Sequence, residues 1–180
     1  MALPGRASQQ KQQRLEQMYK EYKAESFPEG KDISAADLHD LLQNHTERVV
    51  LVDTRTQPEQ QVSIIPGAVT VSQFEDLKAE VSGRQVVAYC TVGLRSGQYA
   101  RDLRKEGFDA SNLAGSILAW TQEGFSLVDG KTGKPTKRLH VFAEKWALQG
   151  DGYDAVTFAK GQGALAIAKS LLPRWLGGEK

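Results

Sequence analysis

A single cysteine, Cys90, stands in 180 residues, which excludes an internal disulfide and any multi-cysteine zinc cluster. That scarcity fits a reducing compartment, cytoplasm or organelle lumen, and argues against secretion. Charge of one sign is also lacking. With 23 basic and 22 acidic residues the net charge is +1, so no global field draws the chain to nucleic acid or to an anionic membrane. No stretch approaches the roughly 20 apolar residues of a membrane span. The N-terminus has no apolar core of signal-peptide length, and Glu16, Glu21 and Glu25 follow Arg6, Lys11 and Arg14 too soon for a transit peptide. His39, His45 and His140 share no ligand spacing, so neither a metal nor a cofactor is expected.

What is present reads as an α/β domain with terminal extensions. The 40% apolar and 25% charged content is that of a soluble globular chain. Leu15, Met18, Tyr19 and Tyr22 recur at helical spacing within a helix over 9–23. Phe27, Pro28 and Gly30 break that helix, and Ser34 with Asp37 caps a second one carrying Leu38, Leu41 and Leu42. The continuous apolar run 49–52 ending in Asp53 predicts a strand buried on both faces. Pro66 and Gly67 mark a turn into a second strand over 68–71. The run 86–89 repeats the buried pattern and stops at Cys90, with a helix over 96–106 after a tight loop. A further short strand and turn at 112–115 precede a helix over 116–122 that ends near Gly124. This alternation argues for a parallel sheet covered by helices on both faces.

Beyond Val128 the character changes. Residues 129–138 read as a loop, in which Lys131, Lys134, Lys137 and Arg138 form a solvated basic cluster rather than a docking site. Residues 164–176 read as an apolar-rich helix interrupted by Pro173, with Gly161 and Gly163 as its lead-in rather than a dinucleotide fingerprint. The expected organisation is a helical extension over 1–30, a domain over 31–128 and a C-terminal extension over 129–180.

The chemistry points to the loop from Cys90 to Ser96. Between a buried strand and a helix, such a loop can turn successive N–H groups inward at the positive end of the helix dipole and form an anion cradle. Gly93 supplies conformational freedom at its tightest point. A thiol facing that cradle, with Arg95 near, ionises more readily and becomes a nucleophile. By itself a lone cysteine is more often a small buried apolar residue.

Neighbouring motifs shift that balance. Cys90, Gly93, Arg95 and Ser96 stand at the spacing of the rhodanese active-site loop. Asp53, Arg55 and Glu59 match its acid–arginine–glutamate segment; Ile65, Pro66, Gly67 and Ala68 match its turn; and Leu113, Gly115, Trp120 and Gly124 match its closing segment. Across Ile33 to Val128 the chain resembles a rhodanese homology domain. Ile64 stands where that family often has histidine. The resemblance implies a five-stranded parallel sheet with the Cys90 loop at its carboxyl edge, and a Cys90 persulfide as intermediate.

In that reading Cys90 takes a sulfane sulfur from a small donor such as thiosulfate and passes it to cyanide or a thiol, including a protein thiol. Cys90 and Arg95 carry the catalysis, and the amides of Thr91, Val92, Gly93, Leu94 and Ser96 hold the anionic sulfur. Asp53 and Arg55 support the site, chiefly as an ion pair, and Glu59 reads as the partner of Arg55. Trp120 reads as core. Four residues lie between Cys90 and Arg95, one fewer than in phosphatases of the same fold, which disfavours phosphatase or arsenate-reductase chemistry. A non-catalytic interaction module is the remaining alternative.

Overall fold

A computed structural model describes residues 5–158. The expected helix over 164–176 and its lead-in lie outside the described residues. The elements that position the site are α1 (Arg6–Ser26), β1 (Asp32–Ile33), α2 (Ala35–Asn44), β2 (Val49–Asp53), α3 (Gln57–Val62), β3 (Val69–Thr70), α4 (Val71–Leu77), β4 (Gln85–Tyr89), α5 (Leu94–Lys105), β5 (Ala110–Leu113) and α6 (Ser116–Gln122). Five parallel strands form one sheet in the order β1-β5-β4-β2-β3.

Both faces of the central strands are dry because their side chains alternate between two cores. Leu51, Val87, Tyr89 and Leu113 face a core completed by Leu15 of α1, Leu38 of α2 and Ile117 of α6. Val50, Val52, Val86 and Ala88 face the other, completed by Phe74 of α4 and by Ala100 and Leu103 of α5. The sheet is thus covered by helices on both sides.

Two local expectations change. The strand predicted over 68–71 is only Val69–Thr70, because Thr70 starts a helix instead. Its hydroxyl accepts from the Gln73 N–H at 3.2 Å while the Gln73 side chain accepts from the Thr70 N–H at 2.8 Å. This reciprocal cap stabilises α4 from its first turn. The stretch 129–138 is not an open loop throughout. β6 (Leu127–Val128) pairs antiparallel with β7 (Pro135–Thr136), and Asp129 closes the turn by accepting from the N–H groups of Lys131 and Thr132. Further on, β8 (Arg138–His140) pairs with β9 (Asp154–Val156) in a separate two-stranded sheet. Leu139, Val141, Leu148 and Tyr153 of this region join the core that contains Leu15.

The N-terminal helix is locked onto α5 by one aromatic ring. Phe27, 1% exposed, occupies the space that a side chain at Gly97 would need: a carbon added there would meet the ring at 2.2 Å. Phe27→Ala should therefore lower the unfolding free energy by about 3–5 kcal/mol, read as a shifted urea midpoint with an unchanged slope.

Candidate active site

β4 delivers the chain to Tyr89, and at Cys90 the backbone leaves the sheet. Gly93 takes φ 117°, and a side-chain carbon there would lie 2.6 Å from the Tyr19 ring. Only glycine satisfies both the backbone angle and the space. This turn brings the Gly93 N–H to 3.2 Å from Cys90 Sγ, to which it donates. The helix α5 then starts at Leu94, so the amides of its first turn have no helical carbonyl to bond. Ser96, in that first turn, favours the ionised thiol through both its backbone and its hydroxyl.

A second helix start supports the first. The Cys90 N–H donates to Ser116 Oγ at 3.0 Å, and that hydroxyl lies 3.9 Å from Sγ and 3.3 Å from the Ser96 hydroxyl. The N–H groups of Ile117 and Leu118 donate to the carbonyls of Cys90 and Thr91. Ser116 adopts φ 53° among the described residues, where every other positive φ belongs to glycine. Such a conformation costs about 1–3 kcal/mol and persists where surrounding contacts enforce it; here these are the contacts holding the cysteine.

Cys90 is 2% exposed. Burial opposes ionisation of its thiol, but the positive charge of Arg95 and the hydrogen bonds from Ser96 and Gly93 outweigh that cost, holding the group below its ordinary range. The sulfur forms the floor of a shallow pocket that Thr91, Val92, Leu94 and Arg95 share with Tyr22, Phe142 and Trp146.

Glu59 does not pair with Arg55 as the sequence suggested; it pairs with Arg95. The two guanidinium nitrogens Nη1 and Nη2 donate to Oε2 and Oε1 at 2.8 and 2.9 Å. Thr56, at the start of α3, donates its N–H and hydroxyl to the same carboxylate, each at 2.8 Å, and Thr91 Oγ1 donates at 3.4 Å. His140 Nδ1 stands 3.5 Å away without the alignment of a hydrogen bond. Burial opposes the charge on Glu59, yet the His140 imidazole beside it, the Arg95 fork and the charge of Arg55 hold its carboxyl well below the usual carboxylate range.

Arg55 has its own partner. It donates to Asp53 through Nε at 3.0 Å and Nη2 at 2.7 Å, and to the Ser63 carbonyl at 2.6 Å. The Tyr89 hydroxyl donates to Asp53 at 2.7 Å and accepts the Ile65 N–H. This fully buried cluster ties the end of β2 to the turn at Pro66 and contributes no wall to the Cys90 pocket. Trp120 is 3% exposed and lies in the core.

The α1 helix reaches the same loop. The Asn112 amide donates to the Gly93 carbonyl and to the Tyr19 hydroxyl, each at 3.0 Å, and that hydroxyl donates to Asp32 at 2.6 Å. Ser116, Asn112, Tyr19 and the aromatic rim had no place in the sequence reading of the site. Among the described residues no group of three or more His, Cys, Asp or Glu could hold a metal ion, and no helix is long and apolar enough to cross a membrane.

Comparison with known proteins settles the class. Residues 34–123, half of the chain, match the family described as a rhodanese-like domain. The chain belongs to the rhodanese-like domain family. A sulfurtransferase from Allochromatium vinosum is 37% identical over 87 residues, covering 46% of this chain and 81% of that protein. A tRNA uridine(34) hydroxylase from Oceanobacillus iheyensis is 32% identical over 126 residues, covering 64% of this chain and 37% of that protein. This rhodanese-like chain thus spans between about a third and two fifths of the length of the hydroxylases it matches. A thiosulfate sulfurtransferase from Pseudomonas aeruginosa superposes with a TM-score of 0.52 at 20% identity, covering 73% of this chain and 25% of that one, a likeness of fold alone.

Two outcomes test the electrostatics of this rhodanese-like site. Glu59 ionises more readily folded than unfolded, where glutamate titrates near about 4.3, so its contribution is whole above about pH 5 and is lost progressively as acid is added. Urea unfolding should show stability falling below that point. Glu59→Gln should cost about 3–5 kcal/mol at pH 7 by stranding buried Arg95 and should flatten the acid dependence. For the thiol, the pH at half-maximal iodoacetamide alkylation of Cys90 should lie below the ordinary value of about 8.5. It should rise in Ser96→Ala, which removes a bond to the thiolate.

Proposed function

We propose that the protein moves a sulfane sulfur from a small donor to a thiol or cyanide acceptor through a persulfide on Cys90. The observation that carries this reading is the Cys90 sulfur that accepts the Gly93 amide, at the N-cap of α5, in a residue lining an open pocket. In the first step the thiolate attacks the outer sulfur of the donor. With thiosulfate, the new Sγ–S bond forms as the S–S bond breaks, and sulfite leaves with the electron pair. In the second step cyanide or an acceptor thiolate attacks the outer sulfur and releases Cys90 as the thiolate.

Two sulfur atoms and one negative charge must be held in the intermediate. The amides of Thr91, Val92, Gly93, Leu94 and Ser96 are the donors assigned to that charge. Arg95 acts through its field, since its fork is engaged by Glu59. Asp53 and Arg55 act as positioning residues by bracing the end of β2. In this reading 31–128 is the catalytic unit, with 1–30 and 129–180 as extensions to it.

The experiment is direct. Protein treated with thiosulfate should gain one sulfur atom on Cys90 by intact mass, and later addition of cyanide should release thiocyanate and restore the original mass. Cys90→Ser should remain folded and do neither. A protein that gains no sulfur from any sulfane donor yet retains a partner in pull-down is a non-catalytic interaction module, and the proposal fails.

A further inference from the structure

The walls of the Cys90 pocket come from two sources. The floor belongs to the loop, whereas Tyr22, Phe142 and Trp146 come from α1 and from the segment after β8, outside the family-matched residues 34–123. The pocket is open to solvent, and the surface it exposes is apolar. Phe142 is 38% exposed, the sole exposed large hydrophobic side chain among the described residues. Its ring and that of Trp146 lie 5.1 Å apart, tilted by 40°.

This aromatic pair has fixed support. Val141 is fully buried and its N–H donates to the Val156 carbonyl at 2.9 Å, while the Trp146 N–H closes a turn on the Ala143 carbonyl at 2.8 Å. Exposing a large ring costs solvation unless something covers it. The cation nearest the sulfur is already matched by a carboxylate, because Glu59 takes both arms of Arg95. An anionic sulfonate at this rim would shed water against carbon, while the loop amides lie at the sulfur and not among the rings. An apolar substituent of ring size would gain by the same burial.

We infer that the sulfur donor is a small organic hydropersulfide bearing an apolar, preferably aromatic, substituent, and that Phe142, Trp146 and Tyr22 recognise that substituent. The inference rests on the reading of Cys90 as a sulfur carrier. The step balances without any further reactant. The Cys90 thiolate bonds to the outer sulfur of R–S–SH, the S–S bond breaks, and R–S⁻ leaves with its electron pair. The products are the Cys90 hydropersulfide and the thiolate of the donor.

The test compares loading of Cys90 by benzyl hydropersulfide, cysteine hydropersulfide and thiosulfate, each followed as one added sulfur by acid-quenched mass spectrometry. The cysteine compound separates ring recognition from the intrinsic reactivity of persulfides. In the wild type the second-order loading constant for the benzyl donor should exceed that for the cysteine donor by about tenfold, the scale of one well-filled apolar subsite. Phe142→Ala and Trp146→Ala should each lower the benzyl-to-cysteine ratio several-fold, and Phe142→Leu should recover most of it. Tyr22→Ser tests the opposite wall and stands in if either of the others unfolds. A ratio near one in the wild type, or one that these variants leave unchanged, overturns the inference while leaving sulfur transfer intact. Failure of all three donors to load Cys90 overturns the carrier reading itself.

Discussion

The ion pair between Glu59 and Arg95 is the contact on which the arrangement depends. It joins α3 to α5 across the mouth of the sheet, and through Thr56, Thr91 and the approach of His140 it gathers three separate stretches of chain at one carboxylate. Both partners are nearly dry, so their attraction is weakly screened, while the donors around the carboxylate offset the cost of removing it from water. The geometry of the loop follows. With Arg95 held on one side, Leu94 begins α5 at a fixed point, close behind the Gly93 amide that donates to the sulfur.

Cys90 is then governed by two opposing effects. Burial in the sheet edge favours the neutral thiol, and the field of Arg95 with the hydrogen bonds from Gly93 and Ser96 favours the thiolate; the second set wins. A persulfide needs the same environment with one more atom of reach, and the shallow pocket above the sulfur supplies that space. Ser116 shows that this balance is enforced by the fold. Its left-handed backbone puts a hydroxyl under the Cys90 N–H, a placement that local preference opposes and tertiary contacts impose.

Much of the framework was legible because it rests on local patterns. The runs at 49–52 and 86–89 are unbroken apolar stretches, and these became the two central strands; the helix expected over 116–122 is α6 as it stands. Where a pattern was short, the reading failed. β1 is two residues long, too brief for any period. The capping pairs of Thr56 with Glu59 and Thr70 with Gln73 were readable signals for α3 and α4, but Glu59 had been weighed only as a partner for Arg55. Proximity in sequence misled there: Arg55 lies four positions away, yet the carboxylate faces Arg95, 36 positions along the chain. Tyr22, Phe142 and Trp146 could not be found from spacing, since they meet over Cys90 only when both ends of the described chain fold back across the sheet.

The two extensions thereby alter what an otherwise shared loop can meet. A chain with the same cysteine, glycine and arginine, but without α1 and the segment after β8, would present its sulfur on an open ledge, reachable from many angles by solutes of any polarity. Here the same residue lines a shallow pocket shared with three aromatic rings. Selectivity on this scaffold can therefore diverge by exchanging flanking segments alone, with the reacting loop left untouched.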